Sequence, residues 1–181
     1  MSLENIFDYF GQYDSDVYNV AACQGYEPSE EHIAAFEEVI GFRLPDDFRE
    51  FTMSPLGGLY IEVNEQLWPR AEQYEVAPFW SFLYGLKVFG ISSQIPPWLD
   101  IRRRYQELCT EGSGGLVPVL QVVADPKVFC FDSGQRIITW TPDDPNAREI
   151  VAMTFPELLM REIRELEERK TMKLEQRART Q

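Results

Sequence analysis

Residues 28–58, PSEEHIAAFEEVIGFRLPDDFREFTMSPLGG, constrain this chain most, because they fix the start and stop of two successive helices. Ser29 can cap the first helix, and Glu30 and Glu31 complement the positive end of its dipole. Ile33, Phe36 and Ile40 recur at i, i+3 and i+7 as one apolar stripe, and Gly41 follows where a helix ends in a left-handed residue. Leu44-Pro45 restarts a helix with proline near its first turn, where a missing N–H costs little. Phe48 and Phe51 supply the inward face of this second helix, and the chain then breaks at Ser54-Pro55-Leu56-Gly57-Gly58. A helix–turn–helix unit ending in a glycine pair leaves the next segment free to begin a sheet.

After that break the pattern changes from helical to alternating. Leu59–Val63 reads as a strand, Glu65–Gln73 as a polar connection, and the aromatic stretch 77–91 as one or two strands, with Leu86–Ile91 the firmest. Pro96-Pro97 introduces a helix with a stripe of Trp98, Ile101, Tyr105 and Leu108, closed by the loop Glu111–Gly115. Val117–Val123, Val128–Phe131, Arg136–Trp140 and Glu149–Met153 read as strands, the middle two joined by a hairpin at Asp132–Gln135. Both faces of Val128–Phe131 are apolar, which requires a central strand covered on two sides. Thr154 and Glu157 have capping-box spacing and open a last helix, whose stripe is Leu159, Ile163 and Leu166. Its polar continuation is expected to be helical at first and frayed at its end. Before all this, residues 1–27 are acidic and aromatic, and Ile6, Phe7 and Phe10 can dock a short helix on the domain.

Size and charge narrow the function classes. A chain of 181 residues with 44% hydrophobic content can remove roughly 70% of its unfolded surface from water as one domain. The net charge is −13, and residues 1–50 hold twelve acids against two bases. Such a body repels nucleic-acid phosphates and suits a basic protein partner. Cys23, Cys109 and Cys130 form no C-x-x-C pair, so no zinc knuckle or redox motif is present, and the set suits a reducing compartment. The N-terminus lacks the pattern of a signal peptide, and no apolar run is long enough for a spanning helix. The chain is therefore expected in the cytoplasm, away from membranes.

Catalytic chemistry finds little support. The single histidine, His32, lies off the apolar stripe of its helix and reads as a surface residue. Phosphate-binding glycine motifs are absent, Gly112–Gly115 lacks nucleophile-elbow spacing, and Asp143-Asp144 reads as a solvated turn rather than a metal site. Arg102-Arg103-Arg104 fans round a helix and reads as a solvated face pairing with Glu107. The expectation is a protein without catalytic residues, metal or cofactor. The candidate partner surface is Glu62, Glu65, Trp68, Glu72, Tyr74 and Glu75, where aromatic anchors stand among acids as in interface hot spots. The competing reading folds Trp68 back onto the core.

In its ordered motifs the chain resembles the SUKH superfamily of the Smi–Knr type. The matching positions are Ile33, Phe36-Glu37, Gly41, Leu44-Pro45, Asp47-Phe48 and Gly57-Gly58. They continue with Val128–Asp132, Ile137–Trp140 and the closing Phe155-Pro156-Glu157-Leu158-Leu159. One departure is Pro55-Leu56, where the family usually carries an asparagine before its glycine pair. The resemblance implies an α+β fold, a curved and mostly antiparallel sheet packed against helices, over residues 28–168. Residues 1–27 are then an N-terminal extension and 169–181 a polar helical tail. It implies structural roles for Phe36, Glu37, Gly41, Leu44, Pro45, Phe48, Gly57 and Gly58. For bacterial members it implies immunity proteins that neutralise toxin domains of polymorphic or contact-dependent systems, and for fungal members regulators of cell-wall synthesis; with the charge of −13, the expected partner is a basic, nuclease-like toxin domain blocked by occlusion. A regulatory scaffold is thus the alternative to an immunity protein, with a small-molecule sensor or enzyme behind both.

Overall fold

The computed structural model describes residues 2–70 and 78–180. In chain order the elements are α1 (Leu3–Gly11), β1 (Tyr18–Ala21), α2 (Glu30–Ile40), α3 (Asp46–Thr52) and β2 (Tyr60–Val63). A 3-10 turn (Phe79–Phe82) precedes β3 (Gly85–Val88), followed by α4 (Ile101–Thr110), β4 (Val117–Val122) and β5 (Val128–Phe131). β6 (Ile137–Trp140), β7 (Glu149–Val151) and α5 (Phe155–Thr180) complete the chain. Among the described residues the strands form one antiparallel sheet in sequence order, β1 through β7, so the fold is α+β.

The helical unit at 28–58 forms as its punctuation requires. Ser29 caps α2 with an unplanned partner: its backbone N–H donates to His32 Nδ1 at 3.1 Å, and its Oγ lies 2.9 Å from the same ring atom. Gly41 ends the helix at φ +80°, where a side chain would be strained. Glu37 then turns back to accept the Leu44 N–H at 2.8 Å, which fixes the connection into α3. From α3, Arg49 reaches inward to pair with both Glu37 and Glu30, and is itself only 4% exposed. Phe48 and Phe51 complete the seam edge-on against Phe155 of α5, with Phe48 also on Phe131 of β5.

β5 stands fifth in the sheet with all four residues buried, as its two apolar faces demand. Phe129 and Phe131 face α3 and α5, where Arg161 stacks over Phe129. Strand alternation turns Val128 and Cys130 to the other side, and burial pushes the Cys130 thiol up to about 12. α4 packs against β4. Within β4 the register slips between Pro118 and Leu120, which lets an interior strand accommodate a residue with no N–H to offer the ladder.

Two sequence expectations change here, and one is sharpened. Residues 1–27 carry a strand as well as a helix, since β1 adds to the sheet edge by pairing with β2. Of the stretch expected to give one or two strands, residues 78–91 give one, β3, which starts at Gly85 and ends at Val88, after a 3-10 turn at Phe79–Phe82. The tail, expected to fray at its end, is helical through Thr180 as part of α5. It is held by long-range side chains, with Arg169 donating to the Leu83 carbonyl at 3.1 Å and Arg177 to those of Gln66 and Leu67 at 3.0 and 2.9 Å.

α5 also buries a carboxylate. Glu162 is 3% exposed and accepts two bonds from Arg161, at 3.0 and 2.6 Å. Burial raises its carboxyl above the ordinary range, against the pull of Arg161. The fold therefore favours the protonated acid, and the protein loses stability as pH climbs from the ordinary carboxylate range through the raised value. Glu162→Gln removes that loss. Its melting temperature is expected to fall less across that window, and its stability at neutral pH to equal the wild type's or exceed it by about 1 kcal/mol. Thermal melts of both proteins from acidic to neutral pH measure the difference.

Candidate functional site

The register of β1–β4 divides the sheet into a packed side and an open one. Tyr18, Ile61, Val63, Leu86 and Val88 point to the packed side and are buried. Opposed residues share a face, so Asn19, Ala21, Tyr60, Glu62, Lys87 and Gln121 line the other side together. None of these is buried. At one end the face is roofed by Trp98, which is 48% exposed and meets Tyr60 edge-on at 5.0 Å between ring centres.

Glu62 is the hub of this surface. Tyr60 donates its hydroxyl to Oε2 at 2.7 Å, and Asn19 donates from the neighbouring strand to Oε1 at 3.4 Å. Arg70 pairs with the same carboxylate at 3.1 Å. The guanidinium is itself held by the carbonyls of Val63 and Trp68, at 2.8 and 2.9 Å, and lies flat over the Tyr84 ring at 3.6 Å. Gly85 sits directly across from Glu62, and a Cβ there would press on Glu62 and the Ile61 carbonyl, so the glycine leaves the room this arrangement uses. The result is a row of aromatic edges around a charge pair whose geometry is fixed before any partner arrives.

Electrostatics follow from half-burial. Burial, and then the bond to Glu62, raises the Tyr60 hydroxyl above its ordinary value, so it stays a donor. Lys87 lies 5.8 Å from the Trp98 ring, and burial with the Arg104 charge nearby lowers its ammonium below the usual range. Preset aromatics and charges of this kind suit recognition by contact.

Of the residues read from sequence as a partner surface, Glu62 occupies the centre of this face and Glu65 is exposed in the turn after β2. Trp68 does not join them. It is fully buried against Trp80, and its Nε1 donates to the Ser81 carbonyl at 2.9 Å, because folding the indole inward satisfies its one donor while removing its rings from water. Glu72, Tyr74 and Glu75 lie outside the described residues. Trp98, read as the first residue of a helical stripe, instead precedes α4, whose start is capped by Asp100 accepting the Arg102 N–H at 2.9 Å. Tyr60, Arg70, Tyr84, Lys87 and Trp98 were thus missed as surface residues. The alternation of Tyr60 with Glu62 was the available signal, since period two puts both on one face.

The side chains that sequence weighed for chemistry are engaged elsewhere among the described residues. His32 is engaged in the α2 cap, Arg102, Arg103 and Arg104 pair with Asp100, Glu107 and Glu111, and the described residues hold no group of three or more His, Cys, Asp or Glu side chains placed to hold a metal ion. No helix among them is long and apolar enough to cross a membrane.

The model of the SMI1 / KNR4 family (SUKH-1) matches residues 27–161, which include the α2–α3 unit, the glycine pair, β2 to β7 and the start of α5. The chain belongs to the SUKH-1 family. No curated protein matches it in sequence. Family membership carries a general role in protein binding, of the immunity and regulatory kind and in general without catalysis. Outside the SUKH-1 match, β1 adds a strand beside β2, α1 packs on α5, and the rest of α5 is tied to the carbonyls of Leu83, Gln66 and Leu67.

Proposed function

We propose that this SUKH-1 protein is an immunity-type binder that docks a basic, nuclease-like toxin domain on its open sheet face and blocks it by occlusion in the cytoplasm. The observation that carries this reading is the fixed cluster of Tyr60, Tyr84 and Trp98 around Glu62 and Arg70. Tyrosine, tryptophan and arginine are the side chains that dominate interface energies. Family membership and the charge of −13 support it, the latter by speeding encounter with a cationic partner. Glu65, Glu72, Tyr74 and Glu75, which follow Glu62 in the sequence, belong to the same proposed surface.

Co-expression with toxin domains encoded beside its gene tests the reading. Wild type is expected to restore growth and to co-purify with its toxin. The double variant Tyr60→Ala/Trp98→Ala is expected to weaken the complex at least about tenfold, with its melting temperature nearly kept. A complex of unchanged affinity in that variant, or no adjacent toxin bound by the wild type, would refute it.

A further inference from the structure

A groove lies between α1 and the end of α3 with the loop that follows it. It encloses about 620 Å³ and is lined by Phe7, Phe10, Met53, Pro55 and Leu56, with Glu50 at its edge. Phe7, Met53 and Leu56 are packed on the core by one side only, so each leaves apolar surface toward the groove. The rim is acidic. Glu50 is exposed and makes no ion pair among the described residues, and exposed Glu4 stands one turn before Phe7 on the same side of α1.

Both helices present their C-terminal, partially negative ends here, and neither has a cation to offset it. The last turn of α1 has no basic residue. The base in the last turn of α3 is Arg49, which is turned away to Glu37 and Glu30. Helices rather than strands border the groove, so an occupant finds no ladder of free N–H and C=O groups to extend. It must bind through side chains.

We propose that this groove accepts the apolar ridge of a cationic amphipathic helix from a partner protein, with flanking lysines or arginines facing Glu50, Glu4 and the two helix ends. Spacing at i, i+3 or i+4, and i+7 would seat about three apolar side chains along it. This rests on the chain being a protein-binding module, but not on the open sheet face, from which it is separate in residues and charge.

The probe is a fluorescein-labelled synthetic peptide of about four helical turns, leucines on one face and lysines and arginines on the other, titrated against the full chain by anisotropy. Saturable one-to-one binding is expected, at least about tenfold tighter than for a scrambled peptide of the same composition. Glu50→Lys is expected to weaken it about tenfold and to flatten its salt dependence, and Leu56→Asp to weaken it by at least as much. Glu50 is exposed and unpaired, so its replacement leaves folding alone. Equal binding of the scrambled peptide, wild-type affinity in both variants, or no binding would overturn the proposal. So would concentration-dependent self-association lost in Leu56→Asp, which would make a second copy the occupant. A chain that captures an adjacent toxin yet ignores the peptide overturns the groove alone. Peptide binding without any toxin capture supports the groove and counts against the immunity role.

Discussion

Arg49→Met is expected to destabilise the protein by about 3–5 kcal/mol, a large part of the roughly 5–15 kcal/mol that holds a domain together. Methionine can fill the space of the arginine stem, so the loss is electrostatic rather than a cavity. The guanidinium serves two carboxylates of very different exposure. Glu30 is 64% exposed and simply rehydrates when its partner goes, whereas the Glu37 side chain is 15% exposed and is left charged in a poor solvent. Glu37 also holds the Leu44 N–H, so its displacement would loosen the turn between α2 and α3. Adding Glu37→Gln removes the stranded charge and keeps an acceptor for that N–H. Most of the loss should return in the double variant. Urea unfolding of the two single variants and the double gives the coupling directly. A double variant as unstable as Arg49→Met, or a single variant within about 1 kcal/mol of wild type, would show that the pair does not matter in this way.

Gly90→Ala is expected to cost about 3 kcal/mol or more, because the added methyl has only backbone to push against. A Cβ at position 90 would overlap the Gly58 amide nitrogen and stand 2.8 Å from the Gly58 Cα and 3.3 Å from the Gly57 carbonyl carbon. Gly90 cannot move aside, since its N–H donates to the Leu99 carbonyl at 3.1 Å and its carbonyl accepts from Ile101 at 3.0 Å. Nor can the glycine pair, because the Gly57 carbonyl accepts from Cys23 at 3.0 Å and a Cβ at Gly57 would itself strike the Thr52 carbonyl. Four segments meet there: the exits of β1, α3 and β3 and the start of α4. A fall in melting temperature of roughly 6–12 °C should follow for a domain of this size. A shift of under about 2 °C would mean that the junction yields more easily than its hydrogen bonds imply.

The legible parts of this fold are those whose signals are local. Ser29, Gly41 and Leu44-Pro45 mark the ends of α2 and α3 within a few residues of where they act, and Val128–Phe131 declares its double burial in its own composition. β1 was not legible, because Tyr18–Ala21 is short and its ladder depends on Tyr60–Val63, some forty residues later. Trp98 matched a helical period but falls before the Asp100 cap, and a cap outranks a period when the two disagree. Gly90 carried a usable hint, since a glycine inside a strand-like run often marks close backbone approach. The direction of Trp68 was not readable at all. An acidic loop with an indole can turn it out or in, and what decides is the Ser81 carbonyl thirteen residues away, a partner that no spacing rule supplies. The same is true of α5, whose final turns are secured by carbonyls of Gln66, Leu67 and Leu83.

The sheet that runs from β1 to β7 in chain order bears on how the molecule assembles. β4, β5 and β6 follow one another through short connections, so those ladders can close as hairpins at small loop-closure cost, whereas β1, β2 and β3 must each bring helices or long loops into place before they pair. The longest-range hydrogen bond described joins α1 to α5, where Tyr9 donates to Glu167. That clasp can close only once α5 is in place, so the docking of α1 depends on a helix some 150 residues further along the chain.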